Sequence, residues 1–338
     1  MAFLVTSEAR AFHNECIVAD LHADTWLGNY LVGYDVRKRH RSWIPRNPFF
    51  NHIDVPRARE GGLDLTGQGV VTQPFRAKRC KTEAHRMIAR IRKGISMNAV
   101  SLELALSGTQ ARDIVRRGKI GVFIGIEGAH ALSGDLKAVE DFHAKGVRYL
   151  TLTHFSRNEA GWPSINEKMA HEPLPAFGKE LVQELERLNI MVDIAHLAEG
   201  CFWDVVKIAK KPIFASHIAM RDLNDHWRNI RDDQARAVAA SGGVIGIMYS
   251  PGFLGKNYWY CPLDLVIDHF EHCIKVAGED HVALGSDWDG FITTPEGLED
   301  VTGLPNITQK LFDRGHGRET IKKLLGENFL RMFKQVCG

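Results

Sequence analysis

Eight short apolar runs recur along the 338-residue chain: "CIVADLH", "LDLTGQGVV", "KIGVFIGIE", "VRYLTLTH", "IMVDIAH", "PIFASH", "GGVIGIMY" and "HVALGSD". Most are preceded by Gly, Pro or Asn and followed by polar turn residues, which is how strands are bounded. Several lack the clean in/out alternation of a half-exposed strand, as expected of parallel strands covered on both faces. Between them the period changes to that of a helix. In "AFGKELVQELERLN" the residues Phe177, Leu181, Leu185 and Leu188 share a face and Asn189 supplies a stop; in "DLVIDHFEHCIKVAG" Val266, Phe270, Cys273 and Ala277 do so before Gly278. Alternating strand and helix predicts a parallel sheet. Eight such units in a chain of this length favour a (β/α)8 TIM barrel over an open doubly wound sheet, and the absence of linkers or repeats favours a single domain over residues 1–338.

Two stretches depart from this rhythm. Residues 25–52 are too long for a simple turn and carry "VRKRHRSWIPRNPFF", expected to form a long loop over the barrel mouth. "AHRMIARIRKGISMNAVSLELALSGTQARDIVRRG" places its apolar positions on a helical face, so its arginines read as a solvated surface.

Charge narrows the partners. With 43 Lys and Arg against 41 Asp and Glu, the net charge of +2 makes no overall case for nucleic acid or an anionic membrane, and "RKRHR" alone is read as a wet loop. The N-terminus lacks a secretory signal, no apolar run is long enough to span a bilayer, and "FKQVCG" fits no prenylation box; a cytoplasmic protein is expected. The six cysteines lie apart with no Cys-x-x-Cys pair, which indicates neither a disulfide framework nor a thiolate zinc site.

The ends of the runs carry the chemistry. The first finishes in His22 and Asp24, the third in Glu127, the fourth in His154, the fifth in His196, the sixth in His217 and the eighth in Asp287. In a barrel all strand C-termini meet on one face, so groups spread over most of the sequence would converge. His22 and Asp24 occupy alternate positions and can bind one cation; His196 and His217 on adjacent strands can bind another; Glu127, with two oxygens, can bridge them. Taken singly, Asp24 or Asp287 could be a helix cap and each histidine an ordinary hydrogen-bonded residue. Glu127 resists such an account, because an unpaired acid at the end of an apolar strand is costly.

The "HAD" of "DLHADT", "GIEGAH", "LTLTHFSRN", "DIAHLAEG", "IFASH", "RNIRDD", "GSDWDGF" and "GENFLRMF", in that order from about residue 15 to 335, resemble the membrane (renal) dipeptidase family, metallo-dipeptidases of the amidohydrolase superfamily. "HIDVPRAREGG" resembles that family's stretch before its second strand. The resemblance implies a distorted (β/α)8 barrel holding two zinc ions, with His22 and Asp24 on one, His196 and His217 on the other and Glu127 between. It implies that Asp287 accepts a proton from the attacking water and returns it to the leaving amine, that His154 binds the scissile carbonyl oxygen or the tetrahedral species, and that Arg228 holds the carboxylate of a small dipeptide substrate. Without the motif, Arg228 would be read as an exposed salt bridge to Asp232 or Asp233. Members often accept a D-residue at the C-terminal position, and dimers occur among similar proteins; the residues here fix neither stereochemistry nor a homodimer.

Two segments depart from the family pattern. Members commonly follow the paired glycines with a sequence of the type GAQFWS, whereas Gly61 and Gly62 precede "LDLTGQGVVTQPF", and the loop after the first strand is unusually basic and aromatic. Both flank the place where substrate side chains would sit. The rival readings are a deaminase or lactonase of the same superfamily, which for deaminases generally means one metal and an HxH start, and a metal-binding pseudoenzyme. The His and carboxylate ligands would also accept manganese, cobalt or iron.

Overall fold

Nine parallel strands form the centre of the computed structural model, which describes residues 4–42, 44, 46–72 and 77–338. They are β1 (Ala19–Ala23), β2 (Leu65–Val71), β3 (Leu102–Leu104), β4 (Ile120–Glu127), β5 (Val147–Thr151), β6 (Met191–Asp193), β7 (Phe214–Ile218), β8 (Val244–Ile247) and β9 (Val282–Leu284). β2 pairs with both β1 and β4, and β9 returns to β1 through Asp20 opposite Leu284, so eight strands close into a barrel and the TIM-barrel expectation is met. β3 stands outside the circle. It pairs only with Ile120–Val122 of β4, below the point at which β5 takes over that edge at Ile124.

β3 corrects the reading of residues 84–118 as one helical face. A helix spans Ala77–Ser96, "LEL" then forms the strand, and a second helix spans Gly108–Arg116. The apolar residues of such a short run satisfy a helical period and a strand equally well, and pairing with the exposed edge of β4 decides between them. The connection after β1 also opens with a helix, Thr25–Val32, ended by Gly33 at φ 72°. Two arginines of its basic cluster are locally paired: Arg37 binds Asp35 at 2.8 Å and Arg39 binds Glu60 at 2.5 Å. Trp43 and Pro45 of this connection, and Gln73, Pro74, Phe75 and Arg76 after β2, lie outside the described residues. No helix among the described residues is long and apolar enough to cross a membrane.

One end of the barrel is sealed. Phe329 and Phe333 of the last helix, Asn328–Cys337, reach the barrel interior, with ring centroids 4.7 and 5.6 Å from that of Phe123 on β4. Phe214 and Tyr149 complete this layer, Tyr149 edge-on to Phe214 at 5.4 Å. Each buried phenylalanine contributes on the order of 1.5–3 kcal/mol through apolar burial. The interior is therefore a packed plug toward the strand N-termini.

Candidate metal centre

β1 and β7 both lose their regular register near their C-terminal ends, between Asp20 and Ala23 and between Ala215 and Ile218, and each irregularity contains a histidine, His22 or His217. Such breaks re-aim side chains at sites. The two rings stack with centroids 4.0 Å apart. Asp24 stands at the N-cap position of the helix Thr25–Val32, yet its side chain makes no capping bond; Oδ1 turns instead toward His22 Nε2, 3.4 Å away. The simple capping role is thus absent. Gly69 on β2 makes room for this pair, because a Cβ there would collide with Asp24 Oδ1.

Glu127 ends β4, and its Oε1 is the point on which the histidines converge. The Nε2 atoms of His196, His217, His154 and His22 lie 3.0, 3.4, 3.7 and 3.8 Å from it. His196 and His154 come not from strands proper but from the turns after β6 and β5. The His196 backbone takes φ 62°, and its carbonyl accepts from Thr153 Oγ1 at 3.0 Å and Ser164 N–H at 2.8 Å, which holds the turn.

The outer nitrogens of His217 and His22 are anchored by Ser216, Asp193 and Tyr149, none of them among the expected site residues, whereas Nδ1 of His154 and Nδ1 of His196 have no hydrogen-bond partner among the described residues. Ser216 Oγ donates to Asp193 Oδ2 (2.7 Å) and so accepts from His217 Nδ1–H (2.8 Å), leaving the Nε2 lone pair to face the centre. His22 Nδ1 is hydrogen-bonded to the Tyr149 hydroxyl at 2.8 Å. Tyr149 fits because position 125 of β4 is glycine; a Cβ there would strike its ring. The visible signal was an acid or phenol inside an otherwise apolar run, as in "VRYLT" and "IMVDI".

The cluster fits a cation. His196 Nε2 and His217 Nε2 face each other at 3.1 Å, and the buried His22 Nε2 and Asp24 Oδ1 have no hydrogen-bond partner. Burial pulls the His22 imidazole down, but Asp24, Glu127 and Asp287 together push it up to about 10. Burial, reinforced by Asp24 and Asp287, pushes Glu127 well above the usual carboxylate range. Burial and then the Arg228 guanidinium drive His154 and His196 well below 6.5; for His217 the order is burial, His22, Arg228. These are opposed demands, with carboxylates short of positive charge beside imidazoles that burial keeps neutral, among them His217 with its Nε2 lone pair turned inward, and bound metal satisfies both. Among the described residues, three groups have ligand atoms close enough to hold an ion: His22, Asp24 and Glu127; His22, His217 and Asp287; Glu127, His154 and His196.

Asp287 lies at the β9 end with Oδ1 3.9 Å from His22 Nε2, and burial, with Asp24, pushes it up to about 7 against His22 and Arg228. Its backbone is left-handed, φ 61°, as are those of Asp289 (68°) and Phe291 (59°). Non-glycine residues held this way cost energy and persist where surrounding bonds over-determine them. Asp289 supplies those bonds, accepting from His52 N–H at 2.8 Å and Thr25 Oγ1 at 2.6 Å.

Arg228 is buried, not a surface ion pair; Asp232 bonds His272 at 2.7 Å instead. Its Nη2 donates to His217 O at 2.8 Å, while Nε and Nη1 have no partner. Burial lowers its pKa to about 10. Arg228, Asp24, Glu127, His154, His196 and Asp287 all line one cavity of about 550 Å³ at the open end of the barrel, with His22 and His217 buried behind them.

A family model described as membrane dipeptidase, peptidase family M19, matches residues 6–337. This chain belongs to the membrane dipeptidase family. A dipeptidase AC structure, itself an M19 metallopeptidase, is 26% identical with a TM-score of 0.87, covering 96% of this chain and 99% of that one. A metallopeptidase from Rhodobacter sphaeroides, liganded with a phosphinate mimic of the dipeptide L-Ala-D-Ala, is 25% identical with a TM-score of 0.87, over 95% and 99% of the two chains. An uncharacterised dipeptidase of Schizosaccharomyces pombe is 36% identical over 223 residues; the match takes in 65% of this chain and 54% of that protein's length, about half of the relative. The barrel and its His, Glu and Asp groups are thus those of a chain from a metallopeptidase family.

Proposed function

We propose that this membrane dipeptidase family member is a binuclear zinc hydrolase that cleaves the amide bond of dipeptides, D-residues at the C-terminal position included. The observation that carries the reading is the ring of four imidazole Nε2 atoms within 3.8 Å of one Glu127 oxygen, in the same cavity as a buried guanidinium with two unpartnered donors. His22 and Asp24 would hold one ion and His196 and His217 the other, with Glu127 bridging. When bound, the metal supplies Lewis acidity, lowering the pKa of a water toward about 7 so that hydroxide is available at neutral pH.

The remaining chemistry belongs to side chains. Arg228 anchors the substrate carboxylate through Nε and Nη1, a forked recognition that selects small substrates ending in a free acid. His154 receives the carbonyl oxygen as it gains negative charge. Asp287 takes the proton of the attacking water and delivers it to the amide nitrogen, which leaves poorly unless protonated. The relative from Rhodobacter sphaeroides that holds an L-Ala-D-Ala mimic supports the stereochemical part of the proposal.

The test is a dipeptide panel of L-L, L-D and D-D members, run on zinc-loaded protein and on protein stripped with a chelator. Cleavage that includes L-D members, is lost on stripping and returns with zinc is expected, at about two metals per chain. A zinc-loaded enzyme that cleaves no dipeptide overturns the function, and a ratio near one overturns the binuclear assignment.

A further inference from the structure

The cavity that holds the charged groups has two apolar walls. Arg228 follows β7, and Phe253 of the next connection has its ring 4.7 Å from that of the neighbouring His226. With Phe155, beside His154 at 4.2 Å, and Tyr258, it forms the wall on the guanidinium side. The neighbouring strands β1, β2 and β9 and the segments that follow β1 and β9, on the side of the barrel that carries Asp24, contribute Leu27, Val71, Phe291 and Ile292. Among the described residues lining this space, every acid, imidazole and guanidinium already has a task in metal binding or catalysis, and the remaining lining is apolar apart from Ser250, the Tyr258 hydroxyl and backbone.

From these walls we infer that the enzyme is selective for dipeptides with bulky, uncharged apolar side chains at both positions. This deepens the dipeptidase reading and rests on it. A carboxylate on Arg228 puts the C-terminal side chain against Phe155, Phe253 and Tyr258, and the N-terminal side chain against Leu27, Val71, Phe291 and Ile292. A charged side chain at either position would lose hydration against these walls and meet no uncommitted counter-ion among the described lining residues, which is unfavourable, whereas leucine or phenylalanine gains by burial.

The walls are braced rather than loose. Phe291 meets Phe50 edge-on at 5.1 Å and Phe49 at 6.5 Å. The Phe50 ring in turn lies against Gly28, where a Cβ would come within 2.9 Å of it. The basic, aromatic stretch after β1 therefore contributes its phenylalanines to the substrate side of the mouth. The Tyr258 ring packs over Gly252, and its carbonyl accepts from Thr293 Oγ1 at 2.9 Å, tying the two walls together. Phe291 and Tyr258 are still 51% and 58% exposed, so each retains surface for a ligand to cover.

The experiment compares kcat/KM for Leu-Ala, Gly-Ala, Asp-Ala and Lys-Ala, and for Ala-Leu, Ala-Gly, Ala-Asp and Ala-Lys, in whichever stereochemistry the enzyme cleaves. Leucine at either position should exceed aspartate and lysine by about tenfold or more. Phe291→Ala should shrink the Leu-Ala over Gly-Ala ratio several-fold, and Tyr258→Ala the Ala-Leu over Ala-Gly ratio; both positions are surface-exposed, so folding tolerates the change. Charged dipeptides cleaved as fast as leucine dipeptides, or ratios unmoved in both variants, would overturn the selectivity while leaving the dipeptidase reading intact. No cleavage of any member would overturn both.

Discussion

The hydroxyl of Tyr149 on β5 lies 2.8 Å from Nδ1 of His22 on β1, across the interior of the barrel. This bond fixes which nitrogen of His22 faces Asp24 and Glu127. Outer partners of this kind typically govern metal affinity by about 10- to 100-fold. Tyr149→Phe should keep the packed ring and lose the bond, so zinc should bind about 10- to 100-fold more weakly in a competition titration against a chelator. Unchanged affinity would show that ring packing alone orients His22.

Asp287→Asn preserves shape but cannot accept a proton. Metal content by elemental analysis should stay near the wild-type ratio while kcat falls by roughly 10²- to 10⁴-fold, the range for a lost general acid and base. Retained turnover would remove Asp287 from proton transfer.

Arg228→Ala removes the two unpartnered donors from the cavity. The loss of a charge-assisted fork, on the order of 2 kcal/mol or more, should raise KM for dipeptides by about 30-fold or more, with kcat less affected. A KM that does not move would reject Arg228 as the carboxylate anchor.

Asp289→Ala releases His52 and Thr25 and with them the restraint on three left-handed residues. Losing these buried bonds should destabilise the protein by about 1–3 kcal/mol and lower kcat, because Asp287 is no longer held in its strained geometry. Denaturant midpoints and steady-state rates report the two effects, and wild-type kcat would show that the turn keeps its form without Asp289.

Phe329→Ala opens a hole in the plug at the far end of the barrel. The cost should be about 3–5 kcal/mol, read as a lowered unfolding midpoint. A loss below 1 kcal/mol would mean that the last helix adds little to closing the barrel.

The sequence and the structure agree where the signal is local. Each of the eight apolar runs overlaps a barrel strand, Asn189 (φ 57°) and Gly278 (φ 91°) stand at the ends of the helices they were expected to stop, and all eight expected site residues gather at one end of the barrel. What escaped notice depends on contacts between distant segments. Nothing beside Tyr149 in the chain says that it will meet His22, 127 positions away. Asp20 and Asp193 were visible as acids within apolar runs, but their partners Ser286 and Ser216 become evident only once the strands are neighbours. β3 and the helix that opens the connection after Asp24 are not legible in the sequence, because short segments carry too few periods for their pattern to choose between alternatives.

Closure of the barrel rests on β1 meeting β9, where Asp20 accepts from Ser286 N–H at 2.7 Å across 266 positions of sequence. A chain leaving the ribosome has His22 and Asp24 long before it has the strand that presses them into place. Until Asp287 emerges, the nascent chain offers only scattered donors to any ion it meets, and contacts of such long span form slowly. Acquisition of metal is therefore expected to be among the last events of maturation, and a loaded site would report that the entire circle of strands has shut.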